Sequence, residues 1–266
     1  MKVSVVVITA REDPGFVTLA QSVQKSTHKD IELVVVDRLR DSRKGWTEAC
    51  AQAGIPFIHL QDPITKVGPC PSAARNIGIS AASGDYIICL DDLTTFHVNF
   101  VSIHLARVEM GFDAIAGSYI EFRSTGDGIH DPRTEDPYQD HGRWISQRFY
   151  GMHMGFTKNA WATIGGFDEA YDGAYGYEDC DFGRRLFRAG FSIGWFPDMK
   201  VNCNKDSRHH LGSLRVGKLY GGQALERNDN DEPCTILYGE RKWKNDKLLL
   251  LNDAMQILDG GFRNEK

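Results

Sequence analysis

The stretch "GYEDCDFGRRLFRAG" at residues 176–190 combines residue types and spacing that can do chemistry. Glu178, Asp179 and Asp181 come first, and three arginines follow. Acids near a helix N-terminus and bases near its C-terminus both oppose the macrodipole, so this order predicts a helix that begins near Glu178. Carboxylates at an exposed helix start can also accept a proton from a substrate. A stable helix and a general base are both consistent with the same residues.

Polar residues also follow three apolar stretches in the first part of the chain. The stretches "VSVVVI", "IELVVVD" and "DYIICLDD" have the composition of strands buried on both faces. In open α/β sheets, ligands bind outside the carboxyl ends of the strands. If these strands are neighbours, their terminal groups share one crevice. Those groups are Thr9, Ala10, Arg11, Asp37, Asp91 and Asp92.

The paired carboxylates of Asp91 and Asp92 indicate a site for a hard cation. Mg²⁺ or Mn²⁺ bound to carboxylates at a strand end commonly carries a diphosphate. Neither the dinucleotide loop G-x-G-x-x-G nor the phosphate loop G-x-x-x-x-G-K-[ST] follows the first strand, and no G-x-S-x-G nucleophile motif occurs. The two commonest nucleotide-loop signatures are therefore absent from the sequence.

The elements that must position these groups alternate in type along the chain. The sequence predicts strands at 3–8, 31–37, 55–60, 85–92 and 113–122, and helices near 16–23, 43–53, 71–82 and 98–108. This alternation predicts an α/β fold with a mostly parallel, buried sheet and helices on both faces.

The later part of the chain is less regular. Residues 123–150 are polar and rich in Gly and Pro, which is typical of a lid over a site or of a disordered insertion. Apolar residues between 248 and 258 predict a C-terminal helix that docks on the body or on a partner, so an oligomer formed through this helix is possible.

Bulk composition sets wider limits. The 266 residues, 41% hydrophobic and 25% charged, suit one large globular domain. A net charge of −5 gives no electrostatic argument for nucleic-acid binding. The apolar N-terminal run is too short for a membrane span and lacks a signal cleavage site. With six scattered cysteines that suggest free buried thiols, these features predict a cytoplasmic protein without a transmembrane segment.

Four motifs in order resemble those of family 2 glycosyltransferases with the GT-A fold. They are "VSVVVITAR", "LVVVDRLRDS", "AARNIGISAASGDYIICLDDL" and "WATIGGFDEAYDGAYGYEDCDFGRRLFRAG", and together they span about residues 3–200. The resemblance implies a Rossmann-like, mostly parallel sheet flanked by helices. It implies a transferase domain at 1–203, with a nucleotide-binding half at about 1–122 and an acceptor and catalytic half at about 123–203. Residues 204–266 would form an irregular extension packed on the same domain.

The resemblance also implies an activity. It is metal-assisted, inverting transfer of a hexosyl or N-acetylhexosaminyl group from a nucleotide-sugar, with a UDP-sugar as the expected donor. The acceptor stays open among a glycan, a lipid-linked sugar, a protein and a small molecule.

The family pattern assigns roles to individual residues. Asp179 would be the general base, and Glu178 would orient the site. The nucleotide would contact Thr9, Ala10, Arg11, Asp37, Arg75 and Asp91. Mn²⁺ or Mg²⁺ would bind at Asp92 or Asp91, with His209 as a further ligand. The acceptor and donor-sugar side would include Gly165, Gly166, Phe167, Asp168 and His153.

The sequence also departs from the family pattern. "ITAR" replaces the usual P-T-Y-N, and Arg38-Leu39-Arg40 replaces Asp-Gly-Ser after Asp37. Leu93 stands where the second aspartate of L-D-x-D is expected. A catalytically silent sugar-nucleotide-binding or scaffold protein therefore stays open. So does a sugar-nucleotidyltransferase, although "TAREDPG" is a poor match to the Gly-rich basic loop which that class carries after its first strand.

Overall fold

The computed structural model describes residues 1–66, 68–122, 128–130, 149–173 and 178–204. These residues form nine strands and six α-helices. The strands are β1 (Val3–Thr9), β2 (Ile31–Asp37), β3 (Phe57–Gln61), β4 (Tyr86–Asp91), β5 (Thr94–Phe96), β6 (Ala114–Phe122), β7 (Gly128–His130), β8 (His153–Thr157) and β9 (Ile193–Asn204). The helices are α1 (Phe16–Lys25), α2 (Trp46–Gln52), α3 (Pro71–Ala81), α4 (Phe100–Glu109), α5 (Lys158–Thr163) and α6 (Glu178–Arg188).

The strands form one sheet in the order β3-β2-β1-β4-β8-β6-β9-β5, with β7 paired to β6. Strands β3, β2, β1 and β4 are mutually parallel, and β6 and β9 run in the same direction as they do. Strand β8 lies antiparallel between β4 and β6. The prediction of a mostly parallel α/β sheet is confirmed.

Helices cover both faces of this sheet, as predicted. Successive side chains of a strand point to opposite faces, so β1 contributes Val5 and Val7 to one core and Val6 to the other. Helices α1, α2 and α4 pack on the first face, and α3, α5 and α6 on the second. The β-branched runs that predicted β1 and β2 are buried along nearly their whole length.

The carboxyl ends of β2, β1 and β4 lie side by side, as the crevice prediction requires. Thr9 is in register with Asp37, and Ile8 is in register with Asp91. The helix predicted at 43–53 is shorter than expected. It begins at Trp46 because Gly45, with φ of 77°, turns the chain just before it. Elements β5, β8, α5 and β9 were not predicted, and β8 supplies the residues that face α6.

Several predictions fall outside the described residues. One is the lid predicted at 123–150, of which the structure describes only residues 128–130 and 149–150. The others are the ligand role of His209, the helix predicted near 248–258, and the packing of the extension beyond residue 204. In the part of the chain that the structure describes, no helix has both the length and the apolar character needed to cross a membrane. All five cysteines among the described residues are free, and four of them are buried.

Candidate active site

Helix α6 begins at Glu178 and carries the acids in its first turn and arginines in its last turn, as the charge order predicted. Asp181 is fully buried and accepts a hydrogen bond from Arg185 Nε at 2.7 Å. Arg185 also donates to the carbonyl oxygens of Ile164 and Gly166. Asp181 therefore joins α6 to the turn after α5, whereas Asp179 lies on a different part of the helix start.

The Asp179 carboxylate is held by backbone N–H groups. Gly151 N–H, just before β8, donates to it at 2.7 Å, and Cys180 N–H donates at 2.7 Å. Burial, and then the neighbouring Glu178 carboxylate, raise the pKa of Asp179 to about 6, against the lowering effects of Arg75 and of the two N–H groups. The side chain is only partly buried. A partly exposed carboxylate with a pKa of about 6 is ionised at neutral pH and is suited to accept a proton.

Glu178 pairs with Arg75 of α3 across the second core. The two buried side chains meet at 2.7 Å between Arg75 Nη1 and Glu178 Oε1. A Cβ at Gly151 would clash with the Arg75 guanidinium, so any larger residue there would require that guanidinium to shift. Although burial by itself would lower it, the pKa of Arg75 is raised, because Glu178, Asp179 and Asp91 are close. Arg75 thus links the predicted base to the end of β4.

One oxygen of Glu178, Oε2, is buried and has no hydrogen-bond partner among the described residues. An unpartnered buried carboxylate oxygen is costly, and it offers an acceptor next to Asp179.

At the ends of β1 and β4, Asp92 is tied to two residues of the β1 end. Thr9 Oγ1 donates to its carboxylate at 2.8 Å, and Arg11 Nε donates at 2.8 Å. Burial raises the pKa of Asp92 and outweighs the lowering by Arg11. The next residue, Leu93, has φ of 64° and a side chain buried in the first core. Its N–H donates to the Pro14 carbonyl.

At the end of β2, Asp37 has no exposed surface. Its carboxylate accepts hydrogen bonds from Arg43 Nε at 2.7 Å and from Leu39 N–H at 2.8 Å, and His59 Nε2 lies 3.3 Å from it. The Arg43 guanidinium lies over the Trp46 ring, which stacks on His59. The predicted contact of Asp37 with the donor base would therefore require this cluster to rearrange.

Arginines meet three carboxylates along this edge of the sheet. The pairs are Arg11–Asp92, Arg43–Asp37 and Arg38–Asp62, each at 2.7–2.8 Å. Sequence reasoning did not identify Arg38 or Arg43 as site residues. The replacement of the family's Asp-Gly-Ser by Arg38-Leu39-Arg40 was the available signal for the first of them.

The residues at this edge give only part of a divalent-cation site. A Mg²⁺ ion is commonly held by one or two carboxylates together with substrate phosphates, and here Asp91 is the carboxylate of the pair that is partly exposed. Asp92 is committed to Thr9 and Arg11, and Leu93 places an apolar side chain in the core where the family has an aspartate. Within the described ranges, no group of three His, Cys, Asp or Glu residues is arranged to hold a metal. The other predicted ligand, His209, lies outside those ranges.

The residues predicted for the acceptor and donor-sugar side form a packed junction between α5 and α6. Gly165 and Gly166 make a turn with φ of 77° and 74°. Phe167 is buried and stacks on Phe182 of α6, with 4.1 Å between ring centroids. Asp168 accepts a hydrogen bond from Ala170 N–H and begins a 3-10 helix. The structure brings Gly166 and Phe167 into contact with Arg185 and Phe182 of α6, and Gly165 and Asp168 have turn roles.

His153 does not face the crevice. It is buried, with Nε2 3.0 Å from His104 Nε2 and Nδ1 3.3 Å from the Ser118 carbonyl. Burial lowers its pKa to about 4, so it is neutral at pH 7. His104 in turn lies 3.0 Å from the Tyr86 hydroxyl. In place of the predicted contact with donor or acceptor, His153 belongs to a hydrogen-bonded chain in the core.

Comparison with known proteins identifies the family. The family model described as glycosyl transferase family 2 matches residues 4–170, which is more than half of the chain. A second model, described as the N-terminal domain of galactosyltransferase, matches residues 139–210. The chain therefore belongs to glycosyl transferase family 2.

The chain is also similar to individual proteins in sequence and in fold. An uncharacterized glycosyltransferase of Bacillus subtilis (strain 168), YwdF, is 30% identical over 92 residues, which cover 35% of this chain and 32% of that protein. The fold resembles the S. aureus TarS fragment 1–349, with a TM-score of 0.60 and 17% identity over 86% of this chain and 66% of that one. It also resembles GalNAc-T7 solved with UDP, GalNAc and Mn²⁺, with a TM-score of 0.60 and 15% identity over 82% and 48% of the two chains.

Proposed function

We propose that this protein is an inverting glycosyltransferase that uses a nucleotide-sugar, with UDP-hexoses and UDP-N-acetylhexosamines as the donors to test first. The observation that carries the proposal is Asp179, a partly exposed carboxylate at the start of α6 whose pKa is raised to about 6. Family membership supports glycosyl transfer. The TarS fragment has been solved with UDP and with UDP-GlcNAc, which supports the choice of donor.

In the proposed reaction, the acceptor hydroxyl oxygen attacks the anomeric carbon of the donor sugar. Asp179 takes the hydroxyl proton as the new carbon–oxygen bond forms. The bond from the anomeric carbon to the diphosphate breaks, and its electron pair leaves with the nucleoside diphosphate. A single displacement of this kind inverts the configuration at that carbon. The two N–H groups on Asp179 hold the carboxylate in place for the transfer.

Glu178 and Arg75 position this base. Their buried ion pair connects the first turn of α6 to α3. Arg75 also interacts electrostatically with Asp91 at the end of β4. Movement of either residue would displace Asp179 relative to the donor. We assign Glu178 an orienting role, with its unpartnered Oε2 as an acceptor for a sugar or acceptor hydroxyl.

The donor would lie across the ends of β1, β2 and β4, in contact with Thr9, Ala10, Arg11, Arg75 and Asp91. On this proposal, residues 1–122 supply most of the nucleotide site and residues 123–203 supply the base and the acceptor side. Asp91 would hold a divalent cation together with the donor diphosphate, because the carboxylate of Asp92 is bound to Thr9 and Arg11. Asp37 would act through Arg43, which covers its carboxylate.

A catalytically silent nucleotide-sugar-binding protein is the second candidate, and Leu93 in place of the family aspartate is the observation that favours it. The two candidates differ in turnover. Purified protein is incubated with individual UDP-sugars, without and with simple acceptors, and released UDP is measured for the wild type and for Asp179→Asn. Release by the wild type and its loss in the variant support the transferase. Binding of UDP-sugars without any release supports the silent protein.

A further inference from the structure

In the family pattern Asp37 is the acceptor that meets the donor base, and in this protein that acceptor is already occupied. Asp37 Oδ2 accepts a hydrogen bond from Arg43 Nε at 2.7 Å and lies 3.3 Å from His59 Nε2. Asp37 Oδ1 accepts from Leu39 N–H at 2.8 Å and from Arg43 Nη2 at 3.3 Å. A carboxylate offers about four lone-pair sites to donors, and protein groups already face both oxygens here. Since Asp37 has no exposed surface, a ligand meets no vacant acceptor on its side chain.

The contact between Asp37 and His59 is a hydrogen bond that the histidine donates. Burial, against the opposing effect of Asp37, lowers the pKa of His59, so its ring is neutral at pH 7. A neutral ring carries one N–H and a carboxylate only accepts, so the hydrogen lies on Nε2. The His59 ring also stacks on Trp46, with 5.1 Å between centroids. Both oxygens of Asp37 are therefore satisfied within the protein.

Arg43 is held from several sides and not only by Asp37. Its Nη1 and Nη2 donate to the carbonyl oxygens of Glu12 and Arg11, which follow β1. Its guanidinium lies 4.8 Å from the centre of the Trp46 ring, and its side chain is only 10% exposed. A base that displaced Arg43 would leave the buried Asp37 carboxylate without its counter-charge, which is strongly destabilising. The neutral N–H of a base is also a weaker donor than the guanidinium it would replace.

This arrangement changes what the end of β2 can distinguish. Uracil carries a hydrogen on N3, whereas cytosine carries a lone pair there. A buried carboxylate that needs a partner would bind the uracil N3–H and reject cytosine, because cytosine would leave it unpaired. A carboxylate that Arg43 already binds is left unpaired by neither base.

We propose that Asp37 does not read the donor base in this protein, so that the site takes cytidine nucleotide-sugars as well as uridine nucleotide-sugars. This inference rests on the proposed function and deepens it by widening the class of donor. Asp37 is then a positioning residue, which through Arg43 holds residues 11 and 12 at the end of β1. The displacement is unchanged: Asp179 takes the acceptor proton, and the electron pair of the broken bond leaves with CDP or with UDP.

Calorimetric titration of the full chain with UDP and with CDP, both in excess Mg²⁺, tests this. We expect the two dissociation constants to agree within about threefold. An Asp37 that read the base would instead favour UDP by about tenfold or more, because a hydrogen bond to a charged group is worth at least that factor. Asp37→Asn keeps the shape of the side chain and should leave the ratio of the two dissociation constants unchanged.

A substitution of Arg43 should create the base preference that the wild type lacks. Arg43→Met removes the guanidinium and makes the Asp37 carboxylate available, so we expect UDP to bind about tenfold or more tightly than CDP. A purely structural role of Arg43 would not produce this preference. Arg107→Met is the matched control, since that arginine also pairs with an aspartate, Asp198, and lies 4.2 Å from the centre of the Phe196 ring. It belongs to the last turn of α4 and not to the end of β2, so its ratio should equal that of the wild type.

The outcomes separate this inference from the proposed function. A preference of the wild type for UDP of about tenfold or more, or a ratio that changes in Asp37→Asn, overturns the inference and leaves glycosyl transfer standing. Equal affinities in an Arg43→Met variant that unfolds cooperatively in urea overturn the role given to Arg43; if that variant does not fold, the wild type and Asp37→Asn decide. Failure of the wild type to bind either nucleotide overturns the nucleotide-sugar proposal and, with it, this inference. Similar wild-type affinities, with a UDP preference that appears only in Arg43→Met, support it.

Discussion

Replacing Asp179 by asparagine removes the proposed base and keeps the shape of the side chain. General-base catalysis contributes about 10²–10⁴-fold to rate, so we expect kcat to fall by that factor. Donor affinity should change little, because the residues proposed for the nucleotide, apart from Arg75 of α3, lie at the ends of β1, β2 and β4, while Asp179 lies at the start of α6.

The raised pKa of Asp179 predicts the shape of the wild-type pH profile. With a pKa of about 6, the carboxylate is about nine-tenths ionised at pH 7 and about one-tenth ionised at pH 5. Since the free enzyme's base controls kcat/KM, we expect this constant to fall about tenfold between pH 7 and pH 5. In Asp179→Asn, the residual activity should lack this acidic limb.

The same substitution has two opposing effects on stability. Asparagine has one acceptor oxygen, so the Gly151 or the Cys180 N–H loses its partner, at a cost of about 1–3 kcal/mol. A carboxyl whose folded pKa lies above its unfolded value binds protons more tightly in the folded state. It therefore lowers the free energy of unfolding as pH rises from about 4 to about 6, by about 3 kcal/mol at pH 7. Asparagine does not carry this penalty, so the variant should stay folded.

The assay is UDP release over pH 5–8, at saturating donor for kcat and over a range of donor concentrations for kcat/KM, with unfolding in urea measured on the same samples. Asp172→Asn is the matched control. Its carboxylate also accepts two backbone N–H bonds, from Ser72 at 2.9 Å and Ala73 at 3.0 Å, but it lies at the start of α3 and has no proposed catalytic role. Its kcat should stay within about threefold of the wild type. An Asp179→Asn enzyme with wild-type turnover, or with an unchanged acidic limb, would refute the assignment of the base.

Three further predictions concern the elements around the base. Arg75→Met leaves Glu178 buried without its partner, so it should lower the free energy of unfolding, measured in urea, by about 3–5 kcal/mol. Arg188→Met, on the exposed side of α6, is the control and should change that free energy little. Similar losses in the two variants would argue against a stabilising role of the buried pair. Gly151→Ala places a methyl group against Arg75, so it should lower the free energy of unfolding by about 1–3 kcal/mol and should lower kcat. An unaffected kcat would show that this contact does not contribute to catalysis. Leu93→Asp restores the family's acid in a buried site and should lower the free energy of unfolding by about 3 kcal/mol or more. Leu93→Asn is the uncharged control. Equal stability of the wild type and Leu93→Asp would show that this position is open to solvent.

The parts of the fold that were predicted correctly depend on local patterns. Continuous β-branched runs predicted β1 and β2, because a strand covered on both faces has no polar side to alternate with. The order of acids and bases predicted α6, because the helix dipole acts within the first and last turns. Strand β8 was missed, since "HMGFT" is short and contains neither a β-branched run nor a clear alternation.

The partners of the site residues could not be predicted in the same way. Arg11 and Asp92 are 81 positions apart, and Arg75 and Glu178 are 103 apart. No periodicity of the sequence relates residues at such separations, since their contact depends on which strands become neighbours. The family pattern indicated that Asp92 and Asp179 matter, and only the structure showed that an arginine meets the first and that backbone N–H groups hold the second.

The sequence by itself determined the family, the parallel half of the sheet, the helix that carries Asp179 and the edge where the strand ends meet. These follow from residue types and spacings over one or two turns or one strand. Tertiary structure decided that His153 is a core residue, that Arg43 binds the carboxylate of Asp37 and that Arg11 binds the carboxylate of Asp92. Those outcomes depend on burial and on contacts between distant segments, and the chemical type of a residue does not specify either one.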